Sequence, residues 1–532
     1  MSARAAAALI PDGACGVSCG IASNARCSIL FWALRERYEQ TGSPAGLSWI
    51  SVAGQGGRGR VPGTVEELGI DGLVTRYIAG HTETAKSMLQ LADQGRVELH
   101  TLPQGEMAHV IEAQANGRRD VRSRTGTGTF LDPRVGRGSP VTVGAKAQYV
   151  HADGDEIVYT LPAVTVAFVS APYADREGNI YFRHAATITE DLEVAMAAHR
   201  NGGLTMVAVA GLVDRDEAAI GIPTEYVDAI VINPRNEQTG SVPQRKYWPM
   251  FTAGASVDVL EAATELRFIN ETLGITPRRT SAERALARLG ALTFVRSIAP
   301  GATANIGVGL GEEICFELYK SKVSDGITFT TESGPYGGLP APGIFFGAAI
   351  NPERLESSAW MFHHYREHLD AALLGFLELD TAGNINLSKR GPRLLDYVGP
   401  GGAPSIIEGA KTVIFAGKWM QGADVRIDGN RVRLDKPGTP KLVGEVDEIT
   451  FNGEVALANG KRIFYVTDLA LLELTGKGLT LRAVMPGIDI QRDLLANSNA
   501  RIHVPEGPGL EIVPAAIVTG QGFELDWAED GV

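Results

Sequence analysis

The sequence predicts an α/β protein made of two similar open α/β domains with mostly parallel sheets. Three observations carry this. First, the halves echo each other: Ile10 to Ala14 reads IPDGA and Ile298 to Ala302 reads IAPGA. Each copy follows an alanine-rich helical segment and leads through glycines (Gly16 and Gly20; Gly307 and Gly309) into an amphipathic helix. Second, Asp-x-x-Gly-Asn occurs between β-like runs at Asp175 to Asn179 and again at Asp380 to Asn384, as a turn needing positive φ at glycine would. Third, strand, glycine turn and helix recur through both halves, the pattern of parallel α/β units.

In chain order, the periodicity predicts a helix over Ser28 to Tyr38, then a strand over Leu47 to Ala53 entering a glycine loop, Gly54 to Gly59. Pro103-Gln104-Gly105 follows another β-like run, and Arg124 to Arg137 is a long loop rich in glycine and arginine. The boundary falls in 274–281, giving domains 1–273 and 282–532. There Pro277 blocks a helix, and Thr280 with Glu283 forms a capping box for the next one. The second half continues with a helix over Glu312 to Tyr319 and a β-rich run over Ile327 to Thr331 that ends at Glu332. After Glu332 the segment is dense in glycine and proline, so no helix starts before about Phe345. Trp360 to Leu374 reads as a helix, Val398 to Ala403 as a tight glycine turn, and the remainder as alternating β-runs and turns.

The totals exclude several classes. A chain of 532 residues with a net charge of −13 does not attract nucleic acid or anionic lipid as a whole. An anionic ligand would be held locally, by cations or backbone N–H groups. Four cysteines without a CxxC pair argue for a reduced, cytoplasmic protein. Neither a signal peptide nor an apolar run long enough to span a membrane is expected.

Several short motifs match by chance. Gly16-Val-Ser-Cys-Gly20 fits a nucleophile elbow, but too little chain precedes Ser18 to supply the strands such a site needs. Gly54 to Gly59 fits a dinucleotide fingerprint, but Pro62 and Gly63 stand where its helix should begin. His364-Tyr-Arg-Glu-His368 places two histidines on one helix face without an evident third ligand, so no metal site is assigned. What remains is Glu332, a carboxylate at the carboxyl end of a strand with small residues beside it, where open α/β sheets bind ligands. Asn305-Ile-Gly-Val-Gly309 is a glycine turn before a helix, suited to an anion or to tight packing.

Taken together these stretches resemble the family I CoA-transferases, of the single-chain type that acts on acetate, propionate and related (3-oxoacid-like) acyl groups. Glu332-Ser-Gly-Pro-Tyr-Gly-Gly338 is similar to the family's segment carrying the catalytic carboxylate, and Asn305-Ile-Gly-Val-Gly309 to its CoA-contacting glycine loop. Pro103-Gln104-Gly105 resembles the segment whose glutamine helps form an oxyanion hole. Gly399-Pro-Gly-Gly-Ala403 resembles the turn that lends the hole a backbone N–H, and Gly128 to Arg134 also matches this branch. The resemblance runs in order over nearly the whole chain.

It implies an active site between the two domains, with Glu332, Gln104, Gly401 and Gly402 catalytic, and Asn305, Gly307, Val308, Gly309 and Gly399 contacting the coenzyme. It implies acyl-CoA and a small carboxylic acid as substrates, no tightly bound cofactor, and a homo-oligomer, tetramer or dimer. A glutamate ionised at neutral pH can attack a thioester, form an anhydride and take CoA onto itself, which predicts ping-pong kinetics. An acyl-CoA hydrolase and a catalytically silent CoA-binding homologue are the alternatives on the same scaffold. Three stretches depart from the family pattern: Arg366 to His368, Ala403 to Ser405 and Lys418 to Met420. By analogy they are expected near the acyl pocket.

Overall fold

A computed structural model describes residues 1–56, 61–239, 247–274, 276–506 and 509–527. Gly57, Arg58 and Gly59 of the first glycine loop and Ile275 of the expected linker lie outside the described residues.

The first half is built on a sheet whose long strands are all parallel. They are β1 (Cys15–Ser18), β2 (Leu47–Ser51), β3 (Val74–Ala79), β4 (Glu98–Thr101), β5 (Val166–Ala174), β6 (Leu204–Leu212) and β7 (Ala229–Ile232), in the order β7-β6-β5-β1-β2-β3-β4. The chain leaves β1 in one direction for β2 to β4 and returns on its other side for β5 to β7. The sheet therefore changes direction at β1, and ligands in such sheets lie beyond the carboxyl ends at that point. Helices α1 (Ser28–Thr41), α2 (Gln104–Ala115) and α3 (Asp191–Arg200) cover its faces.

The second half repeats the device. Strands β8 (Ala302–Ile306), β9 (Ile327–Thr330), β10 (Ala371–Gly375), β11 (Thr412–Ala416) and β12 (Arg462–Val466) are parallel in the order β9-β8-β10-β11-β12. An antiparallel hairpin, β13 (Ala470–Thr475) and β14 (Gly478–Val484), extends the sheet. Here β8, led in by the second copy of the repeat, is the strand at which direction changes. The second echo is also structural: within each turn Asp175 and Asp380 accept two backbone N–H bonds and one from an asparagine side chain (Asn179, Asn384), beside Gly178 and Gly383 at positive φ.

Helix α4 (Val259–Leu273) ends at Gly274 in the left-handed region, and α5 (Ser281–Ser297) starts with the expected capping box between Thr280 and Glu283. The contacts of α4 are with the second half. Asn270 donates to the Pro342 carbonyl and accepts from the Ile344 N–H, and Arg267 pairs with Glu313. Helices α6 (Leu310–Lys320), α7 (Ser358–His368) and α8 (Ala403–Gly409) complete the layers.

The expected helix over Trp360 to Leu374 is corrected to a helix followed by a strand. At Leu369 the chain turns extended (φ −83°, ψ 114°), and Asp370 joins β8 through a bond from its N–H to the Thr303 carbonyl. The stretch Ala371-Ala-Leu-Leu-Gly375 is nearly all buried between β8 and β11. A short apolar run covered on both faces carries no period that separates strand from helix.

Of two apolar clusters among the described residues, the larger runs through both halves, joining Val17, Met107 and Val169 to Ala304, Phe362 and Leu373, while the other, around Trp49, Val74 and Phe168, lies almost wholly in the first half.

Candidate active site

Strand β9 ends at Thr330, and the next residues form a tight turn: Gly334 donates to the Thr331 carbonyl, and Thr331 to that of Pro335. Glu332 sits on this turn, which Ser333 anchors through its hydroxyl to the Gly347 carbonyl at 2.6 Å. Gly334 has φ +117°, and a Cβ there would lie 2.5 Å from the Glu356 carbonyl oxygen and 2.7 Å from that of Ile188. Only glycine allows the Ile188 segment of the first half to press this close.

Glu332 is 8% exposed, and its Oε2 has no hydrogen-bond partner. Burial raises its pKa; bonds from its own N–H and from the Asn305 side chain pull the other way. Asn305, at the carboxyl end of β8, also donates to the Tyr365 hydroxyl (3.1 Å), which donates to Thr330 Oγ1 (3.1 Å), which donates to the Ala304 carbonyl (3.0 Å). This buried chain fixes Asn305 against the carboxylate.

From the first half, α2 brings Gln104 into the same narrow, closely packed cavity, lined also by Ile21, Val52, Ala53, Glu190 and Phe362. Gln104 is 5% exposed and its Oε1 is unpartnered. The turn before α8 is laced to the first half: Thr82 donates to the Val398 carbonyl, Gly401 to that of Gly80, and Gln104 to that of Gly401. A Cβ on Gly399, at φ +85°, would stand 2.6 Å from the Gly80 carbonyl oxygen. The Gly401 N–H is thus committed to Gly80. The point where a Gly402 Cβ would stand is 3.2 Å from Gln104 Oε1, so Gly402, at the head of α8, is the glycine beside the cavity group.

Glu332, Gln104, Asn305, Gly399, Gly401 and Gly402 are therefore gathered at the seam between the halves. The loop of Gly307 to Gly309 lies outside that cavity. The Gly307 N–H is held by Leu373 at 2.8 Å, the Val308 side chain is exposed, and Gly309 caps α6 at φ +100° with open space where a Cβ would stand. The three departing stretches do not line the cavity around Glu332. Arg366 instead reaches the buried Glu106 of α2 at 2.7 Å, and Trp419 is buried with its indole N–H on Asn497. The discarded motifs have structural uses: Ser18 bonds Trp49 and Gln55, and the His364 ring stacks on Trp360. Among the described residues, no group of three His, Cys, Asp or Glu side chains is arranged to hold a metal ion.

Sequence reasoning did not single out Glu190, Phe362 or Tyr365, which contacts between distant segments bring to the cavity or to Asn305. No local pattern at any of them marks a site.

Two open α/β sheets meet here at their carboxyl ends, with a buried carboxyl, unpartnered at one oxygen, on the seam between them. The chain belongs to the coenzyme A transferase family. The family model described as "Coenzyme A transferase" matches residues 53–233. The chain is 32% identical to the caffeate CoA-transferase of Acetobacterium woodii over 93% of both proteins. It is 31% identical to the acetate CoA-transferase YdiF of Escherichia coli K12, over 93% of this chain and 91% of that protein. The crystal structure of the acyl-CoA transferase YdiF from Escherichia coli O157:H7 superposes with a TM-score of 0.87 at 26% identity, covering 100% of this chain and 98% of the other. Among the described residues no helix is long and apolar enough to cross a membrane.

Proposed function

We propose that the chain moves CoA between an acyl-CoA and a small carboxylic acid through a glutamyl-CoA thioester on Glu332. The observation that carries this is the unpartnered Oε2 of Glu332, buried in a cavity shared with Gln104 at the seam of the two halves. A structure of the related YdiF in a thioester complex with CoA supports the reading.

The carboxylate attacks the thioester carbonyl and expels CoA thiolate, leaving an acyl-glutamyl anhydride. The thiolate then attacks the Glu332 acyl carbon, releasing the first acid and leaving the glutamyl thioester. The incoming acid reverses both steps, so protons and charge balance without an external base. Each addition builds an oxyanion, for which the Gln104 carboxamide and the Gly402 N–H are the donors. Val308 and the N–H groups around Gly309 receive the coenzyme, while Asn305 positions Glu332. The Ile21, Val52 and Phe362 walls give the acyl side of the cavity an apolar lining. Domains 1–273 and 282–532, a homo-oligomer (tetramer or dimer) and a cytoplasmic setting belong to the same proposal; the four unpaired buried cysteines accord with a reducing compartment.

The test is incubation with acyl-CoA, borohydride reduction and mass spectrometry of the peptide carrying Glu332. A reduced glutamate in wild type and its loss in Glu332→Gln are expected. Label at another residue, or CoA release that needs no second acid, overturns the proposal.

A further inference from the structure

Glu332 is not the only carboxyl facing its cavity. Glu190, 2% exposed at the head of α3, lines the same space. It is brought there by the close approach at Gly334 and by the bond from the Ser358 N–H to the Thr189 carbonyl. Two further polar groups in that cavity, Gln104 Oε1 and Glu332 Oε2, are more than nine-tenths buried and unpartnered, so the space is built to receive polar atoms.

The groups around Glu190 decide its charge. On its own helix stand Asp191 and Glu193; from the segment after β1 comes the buried Cys19 thiol, from α7 the Ser358 hydroxyl, and from the turn after β9 Glu332 itself. His363 acts on Glu193 and is bonded to Glu112 rather than to Glu190. Among the described residues no cation pairs with Glu190. Burial away from water, followed by the negative charges of Asp191 and Glu193, favours the neutral form of Glu190.

We propose that Glu190 faces the acyl pocket as a neutral carboxylic acid whose O–H donates a hydrogen bond to a carboxylate oxygen of the exchanging acid. The proton stays on Glu190, and no bond to it is made or broken. This inference rests on Glu332 being the nucleophile. Its consequence is a site that prefers a carboxylate over water as CoA acceptor and leaves Glu332 as the ionised member of the pair. Burial and the neighbouring acids push Glu190 up to about 8, above neutrality.

The experiment is the apparent KM for the acceptor acid against pH, beside that for acyl-CoA. In wild type the acid's KM should rise about tenfold between about pH 7 and about pH 9 as Glu190 ionises, while the acyl-CoA KM stays level. Glu190→Gln, whose amide still donates, should hold the acid's KM near its wild-type low-pH value throughout. Glu190→Met should show a high, level KM. A level acid KM in wild type, or a rise retained in Glu190→Gln, overturns the inference; the wild-type arm decides even where a variant fails to fold. Borohydride label away from Glu332 would instead refute the nucleophile, whatever the KM profiles show.

Discussion

At Glu332 two opposing effects meet: the proposed nucleophile must be ionised, yet burial favours the neutral form. The acid limb of kcat/KM is therefore expected above the ordinary glutamate value of ~4.3, read from a pH–rate profile. Glu332→Asp withdraws the carboxylate by one methylene and should cost on the order of a hundredfold in kcat. Gln104→Ala removes one proposed oxyanion donor, an effect of ~3 kcal/mol, expected as a roughly hundredfold fall in kcat with little change in KM. Glu332 was legible in the sequence because glycine, proline and a strand end surround it. Gln104 and Gly402 were legible only through family resemblance. Glu190 was not, since one acid before an amphipathic helix looks like any solvated helix head until the fold buries it.

Among elements, α8 offers the cleanest test. Gly402 has φ −79°, so Gly402→Ala brings no backbone strain, but its Cβ would stand 3.1 Å from Ile406 and 3.2 Å from Gln104 Oε1. Activity is expected to fall at least about tenfold as Gln104 shifts, with a melting temperature close to wild type; an unchanged kcat would place the oxyanion elsewhere. Thr280→Ala breaks the capping box of α5 and should cost about 1 kcal/mol of stability in urea titration without touching catalysis. Helix starts such as this one were readable because the cap is local chemistry. The stretch after His368 was not, because whether Ala371 to Leu374 continues a helix or enters a sheet depends on β8 and β11, far away in sequence.

For the whole molecule, charge across the seam matters more than surface charge. Arg366 reaches from α7 to a fully buried Glu106 of the other half. Arg366→Met leaves that carboxylate without its cation and is expected to destabilise the protein by about 3–5 kcal/mol, measured by denaturant midpoint. A second expectation concerns pH. Glu190 at about 8 and Asp191 at about 7 lie above their ordinary unfolded values. Between about pH 4 and about pH 8 the unfolded chain binds fewer protons than the folded one, so this contribution to stability is complete below about pH 4, falls progressively across that window, and is fully lost once pH passes the folded values of about 7 and about 8. Denaturant midpoints taken at about pH 6 and about pH 8.5 should show the loss, and Glu190→Gln should shrink it. The repeat in the sequence announced two lobes, but no pattern within either lobe could announce how they grip each other. Their shared apolar interior has a consequence for how the protein comes apart. Because the larger apolar cluster belongs to both lobes, neither can let go without exposing the other's share of it, so calorimetry should register a single melting event and a protease should find few half-folded chains.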